Sequence, residues 1–276
     1  MTLPKSRLLK YFILGILSVL IASLWFHKKE EPQKSPRDYN AIKAEGIIRV
    51  ATEYNSIGYY TDGDSISGFH YELINAFAKQ NGLKAEIIPE MSYQKRLQGL
   101  SNGTFDIIGY GIQSTSELQD SLLLTIPIFL SKQVLVQRKA VKGDSTYIRN
   151  QLDLAGKTLY VIKGSPSILR IQNLGNEIGD TIFVKEIDKY GPEQLLAMVA
   201  HGDIKYAVCN EDIARAEIDS FPQLDINTDI SFTQFYSWGV SKKSPVLLIQ
   251  LNTWLKTFSK SKDFQRIYHK YYGKQH

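Results

Sequence analysis

The 276 residues are 43% hydrophobic and 22% charged, ample for a real core, and the single cysteine, Cys209, excludes an intrachain disulfide. Of 33 basic and 28 acidic side chains, seven and two fall within residues 1–37, which leaves the other 239 residues neutral at 26 of each. A formal charge of +5 concentrated in one terminus provides no basic face, so nucleic acid is not an expected partner.

The basic start flanks sixteen uncharged residues, 11–26 (YFILGILSVLIASLWF). A charged beginning followed by an apolar run predicts a transmembrane signal anchor at 11–26 behind a basic N-terminus at 1–10. A cleaved secretory signal is the alternative. No Ala-x-Ala site follows the run, which favours the uncleaved anchor. Residues 27–45 read as a linker, charged and proline-bearing over 28–38.

Beyond the linker, strand and helix patterns alternate. A β-branched strand is expected over 47–52 and an amphipathic helix over 71–81 that stops at Gly82. A strand over 85–89 and a helix over 93–101 follow. The stretch from Phe105 to Ile128 begins as a strand at 105–108 and meets Gly109-Tyr110-Gly111. Ser114 and Glu117 then stand in capping-box spacing for a short helix. A strand ending at glycines and small polar residues is where open α/β sheets hold ligands.

Residues 129–138 form one long strand-like run, after which the pattern restarts. A strand over 158–162 leads to Gly164-Ser165-Pro166-Ser167, with Ser165 placed to cap a helix. A strand over 181–184, a helix over 191–200 and a strand over 206–209 come next. LQGLSNGTFDIIGYG and LAMVAHGDIKYAVCN share one layout of helix, glycine, turn and strand, and the second ends at Asn210. An extended run at 235–240 and helices at 245–259 and 262–272 complete the chain. The fold class is α/β, with a mostly parallel sheet in each of two lobes. Lobe I is expected from 46–137 and 234–276 and lobe II from 138–233, joined by crossings near 133–138 and 234–240, with the ligand between them.

The phrases GFHYELINAFAKQNG, LSNGTFDIIGYGIQSTSE, GDIKYAVCNEDIA and DFQRIYHKYYG, and the order of elements, resemble the bacterial extracellular solute-binding proteins, family 3, of the polar amino-acid type. The resemblance covers about 46–273. Within it the chain is most similar to the solute-binding-like N-terminal domain of membrane-bound lytic transglycosylases, without their lysozyme-like catalytic domain. It implies a two-lobed periplasmic-binding-protein (Venus-flytrap) fold behind an inner-membrane anchor, facing the periplasm. It also implies a small polar ligand, no cofactor, no catalysis by this chain, and an ABC permease or a cell-wall enzyme as partner.

In the family an arginine in a Thr-x-Glu-Arg run grips the ligand carboxylate, and an aspartate at the second lobe's strand end holds the ammonium. Here Leu118 and Asn210 occupy those positions, so an α-amino acid held in the usual way is not expected. The resemblance leaves Tyr110, Gly111 and Gln113 of the first lobe and Gly164, Ser165, Ser167 and Asn210 of the second as ligand-binding candidates. Tyr54, Tyr59 and Tyr60 would supply an aromatic wall. Tyrosines and amides suit a peptide, an amino-acid derivative or a cell-wall fragment. Two other readings stay open: a regulatory relative of a lytic transglycosylase in peptidoglycan turnover, and a scaffold whose cleft has decayed. Glu53, His70 and Glu72 have no recognisable metal-ligand spacing and are read as structural, and no metal site is expected.

Overall fold

A computed structural model describes residues 35–188 and 191–273. The expected anchor at 11–26 and the linker up to residue 34 lie outside the described residues. Among the described residues no helix is long and apolar enough to cross a membrane. The C-terminal part of the expected linker is not a tether. Asp38 caps helix α1 (Tyr39–Glu45), whose Ile42 is wholly buried, and the chain just before it is pinned by Arg37 pairing with Asp106.

The first lobe is a mixed sheet in the order β4 (Lys84–Pro89), β1 (Ile47–Thr52), β5 (Ile107–Gln113), β13 (Gln234–Val240), β6 (Leu123–Leu124), with β7 (Phe129–Ser131) also on β13. β1 runs parallel to β4 and β5, whereas β13 returns antiparallel. Helices α2 (Phe69–Gln80), α3 (Tyr93–Ser101) and the short α4 (Ser116–Ser121) come from this half. The small hairpin β2 (Tyr60–Asp62) and β3 (Ser65–Ser67) precedes α2. The C-terminal helices α8 (Pro245–Phe258) and α9 (Lys262–Tyr272) complete the lobe, because their apolar stripes have a single face to bury. Phe69 anchors that packing. It is fully buried and meets Phe129, Phe264, Tyr268, Tyr271 and Tyr272 edge-on.

The second lobe is a five-stranded sheet in the order β10 (Phe183–Ile187), β9 (Thr158–Ile162), β11 (Ala207–Asn210), β8 (Gln133–Arg138), β12 (Leu224–Asp229). Helices α5 (Ser167–Ile178), α6 (Pro192–His201) and α7 (Glu211–Glu217) accompany it. Its two apolar clusters, around Leu195 and Leu196 and around Leu159 and Ile171, bury the two faces. The repeated layout holds: α3 leads to β5 and α6 to β11, with Gly103 and Gly202 both in the left-handed region at φ 79° and 90°.

Three expectations change. The run 129–138 is two strands, since β7 pairs with β13 in the first sheet and β8 with β11 and β12 in the second. The first crossing is therefore at Lys132, and residues 133–137 belong to the second lobe. The second crossing is at 230–233, between β12 and β13. The glycines Gly109 and Gly111 do not end their strand, because β5 continues to Gln113. They are small since a Cβ at Gly109 would lie 2.5 Å from Val50 Cγ1, and one at Gly111 would lie 2.6 Å from the Phe129 ring. Ser114 is not the cap of α4: Thr115 Oγ1 accepts from the Leu118 N–H at 3.4 Å, and Ser114 Oγ accepts from Gln119.

Candidate ligand cleft

Between the lobes lies a cavity of about 90 Å³. The ends of β1 and β5 and one face of α3 form one wall. The start of α5, the end of β11 and Pro192 of α6 form the other, and Gln133 of β8 and Tyr236 of β13, close to the two crossings, also line it. Parallel strands put their C-terminal ends on one side of each sheet, which is why these elements converge.

The residues expected from the sequence fall into two groups. Tyr110, Gly111, Gln113, Ser165, Ser167 and Asn210 all line this cavity. Gly164 does not line it and faces the ring of Tyr93 across the cleft, with a Cβ there 3.6 Å from that ring. The tyrosine wall is not on the cavity. Tyr59 is buried edge-on to Tyr54 and Tyr71, while Tyr54, itself well exposed, bonds Thr61 at 3.1 Å. Tyr60 opens β2, beside a shallower hollow farther out. A bridge between Asn55 and Tyr59 folds this loop back on itself, and local spacing does not reveal such a turn.

Several lining groups are tied across the hinge. Gln133 Nε2 donates to Gln113 Oε1 at 3.1 Å, and Gln113 Nε2 donates in turn to Gln234. Tyr236 donates its hydroxyl proton to Asn210 Oδ1 at 3.1 Å. Ser56, after β1, donates its N–H to Glu193 Oε1 on α6 at 2.8 Å, a direct bond between the lobes. Burial pushes the Glu193 carboxyl up to about 7 against the lowering effect of that bond, and Glu53 and Glu217 push the same way.

The charged centre of the cleft is Arg96, which sequence reasoning missed. It sits on the inner face of α3 and is 2% exposed. Its guanidinium carbon lies 4.3 Å from the centre of the Tyr110 ring, Nη1 donates to the Glu90 carbonyl, and Nη2 is 3.6 Å from Glu53. Burial opposes its charge, but Tyr110 and Glu53 outweigh that and hold its pKa above the ordinary arginine value. Its signal in the sequence was a charge on the same helical face as Tyr93 and Leu100. The two positions where the resemblance puts charged grips are accounted for locally. Leu118 packs with Leu100, Ile108, Ile112 and Leu122, and Asn210 begins α7.

The acidic residues beside the cleft have other work. Glu211 pairs with Arg215 and Lys132, while Asp212 accepts from Ser131 at 3.0 Å and faces the Tyr272 hydroxyl at 3.5 Å. Burial raises the Asp212 carboxyl and drives the thiol of Cys209 far above its usual range. Glu53, His70 and Glu72 serve three separate contacts, with Arg96, Trp238 and Lys270 respectively.

Two α/β lobes joined by two crossings around a cleft lined by apolar and polar groups define a hinged ligand-binding protein. Residues 47–274 match the family described as bacterial extracellular solute-binding proteins, family 3, and the chain belongs to it. A crystal structure of the P235GK mutant of ArgBP from T. maritima is similar with a TM-score of 0.72 at 22% identity, covering 85% of this chain and 98% of that one. An ancestral arginine-binding protein bound to glutamine is similar with a TM-score of 0.72 at 26% identity, covering 83% and 98%. Among relatives by sequence, membrane-bound lytic murein transglycosylase F of Idiomarina loihiensis is 23% identical over 238 residues, 86% of this chain and 50% of that enzyme. The chain thus spans about half the length of the curated relatives it matches.

Proposed function

We propose that this chain is a membrane-anchored, periplasm-facing domain that closes on one small polar ligand for transport or sensing. The observation that carries the reading is the cavity at the hinge, lined by residues of both lobes, with the lobes also bonded to each other through Ser56 and Glu193. A cavity of about 90 Å³ sits well below the roughly 300 Å³ at the lower end of drug-sized pockets. In this closed form the ligand is therefore the size of a single amino acid or its derivative, and a peptide or cell-wall fragment requires the lobes farther apart. An ABC permease or a cell-wall enzyme would be the partner that reads the closed form.

A second reading, a regulatory part acting in peptidoglycan turnover, is favoured by the similarity to half of the lytic transglycosylase F chain. In that case the ligand would be a product of cell-wall breakdown, and closure would be the signal.

The test is thermal unfolding of the full chain, followed by intrinsic tryptophan fluorescence, with single L-amino acids, their derivatives, di- and tripeptides and muropeptides. A ligand at a hundred times its Kd stabilises by about 2.7 kcal/mol, which is several degrees. Stabilisation by a small amino-acid-like compound supports the first reading, and stabilisation by muropeptides alone supports the second. No shift with any compound rejects both and leaves a scaffold with a decayed cleft.

A further inference from the structure

The first lobe carries a second hollow, at the pole away from the cleft. It lies between the end of α2 and the later turns of α8 and has a volume of about 380 Å³. Helix α2 runs back from the C-terminal end of β1 to the start of β4, so its last turn stands at the strand ends farthest from the cleft. None of the eight residues lining this hollow carries a charge, in a chain where 22% of residues do. An ion or a zwitterion would gain little there, because a charge-assisted bond needs a charged partner.

The aromatic surface of the hollow is an indole held in place. Trp254 stacks on Phe258 with ring centres 4.5 Å apart and planes 17° apart, and meets Phe77 edge-on at 5.4 Å. Its N–H donates to Gln80 Oε1 at 2.7 Å, yet the residue is only half-buried. The polar groups around it are fixed as well. Asn81 accepts from the Tyr39 hydroxyl at 2.9 Å and donates to the Phe77 carbonyl at 2.8 Å. Thr253 and Thr257 donate their hydroxyl protons to carbonyls one turn earlier, at 2.8 and 3.3 Å, which leaves both oxygens as acceptors. Ser261 Oγ accepts from the Phe264 N–H at 3.1 Å, which leaves its O–H as a donor. Gln80 Nε2 and the Gln250 amide have no partner among the described residues and complete the set.

We propose that this hollow binds an uncharged saccharide. A sugar ring presents a face of C–H groups and a girdle of hydroxyls. It calls for an aromatic plane ringed by donors and acceptors with no net charge. Trp254 supplies the plane, Gln80, Gln250 and Ser261 donate, and Thr253 and Thr257 accept. A purely apolar ligand would desolvate those amides and hydroxyls without pairing them. The volume falls within the roughly 300–1,000 Å³ of small-ligand sites. Every lining residue belongs to the first lobe, so the hollow is the same in open and closed arrangements. A saccharide bound there holds the chain in place without driving closure. The site is separate from the cleft and does not depend on what the cleft binds.

The test titrates the full chain with maltotriose and with tri-N-acetylchitotriose by calorimetry and saturation-transfer NMR, and sediments it with purified peptidoglycan. The expected result is millimolar or tighter binding of at least one of these, with saturation passing to the C–H protons of a bound trisaccharide. Thr253→Lys lays a long side chain across the hollow, and Gln250→Ala removes an amide. Thr253 is exposed and Gln250 half-buried, so both variants spare the core. Each should weaken binding about tenfold or more, and Thr253→Lys decides where the two differ. Trp254→Phe keeps an aromatic ring for the stack on Phe258 but loses the indole, and should also weaken binding. Binding of a free trisaccharide supports the proposal and assigns the hollow to short saccharides. Sedimentation with peptidoglycan that Thr253→Lys abolishes, with neither trisaccharide bound, supports it and assigns the hollow to a polymeric glycan. Failure of the wild type to bind any of the three overturns the proposal. So does binding that Thr253→Lys leaves unchanged, because the saccharide then sits elsewhere. The solute-binding reading stands under either failure, and stabilisation by cleft ligands should be the same in Thr253→Lys as in the wild type.

Discussion

His70 lies beneath the hinge with Nδ1 accepting the Trp238 indole N–H at 3.0 Å, and both rings are buried. Burial lowers its pKa to about 3, so the folded protein keeps the ring neutral. The unfolded chain takes up that proton near 6.5, and between these values the unfolded state binds more protons. Stability from this residue is thus full above about pH 6.5 and falls as pH drops toward 3, by roughly 2 kcal/mol at pH 5. Denaturant unfolding at pH 7 and pH 5 checks this: the stability of the wild type relative to His70→Gln should be lower at pH 5 than at pH 7. His70→Leu should cost about 1–3 kcal/mol at pH 7, because it strands the indole N–H. Arg96 shows what single residues disclose in a sequence and what they hide. Its place on an apolar helical face was legible at Tyr93, Arg96 and Leu100. The distance to Glu53 was not, since β1 and α3 come together only through the sheet.

At the scale of elements, α6 is a part of the second lobe that bonds directly to the first. Gly191 begins it, Gln194 Oε1 accepts from the Gly191 N–H at 2.7 Å, and Pro192 at its first turn fixes the entry. This delivers Glu193 to the Ser56 N–H. The Glu193 carboxyl has its pKa raised to about 7 in the folded, closed form, chiefly by burial. That form binds a proton the open or unfolded chain releases near 4.5. Its contribution is therefore complete below about pH 4.5 and is lost as pH rises through 7. Because His70 acts in the opposite direction over the same range, the test is the difference between proteins: from pH 4.5 to 8 the unfolding temperature of the wild type should fall relative to that of Glu193→Gln, and a difference that does not change with pH would deny the latch. Helix α3 and strands β1 and β9 were legible within a residue or so because their periodicity and bounding turns agree. The split of 129–138 was not. A continuous run of strand-forming residues carries no mark at Lys132 to show that one half pairs in each sheet. Gln133 was hidden for the same reason.

At the scale of the whole molecule, the two-lobed architecture was readable because each lobe repeats a helix–glycine–strand unit. The final strand returns to the first sheet, as β13 does on β5. The cavity's chemistry was only half readable. The small polar residues at the strand ends identified the mouth, while Arg96 came from α3 and Gln133 from beside the crossing. The account requires that ligand binding narrows the angle between the lobes. The direct measurement is the distance between spin labels on opposite lips of the cleft, at Lys95→Cys on α3 and Asp188→Cys after β10, both exposed. Cys209 is buried and does not compete for label. With the amino acid that most stabilises the full chain, the distance distribution should shorten and narrow, and Arg96→Gln should prevent the change. A distribution that is the same with and without that compound, at saturating concentration, would contradict the account.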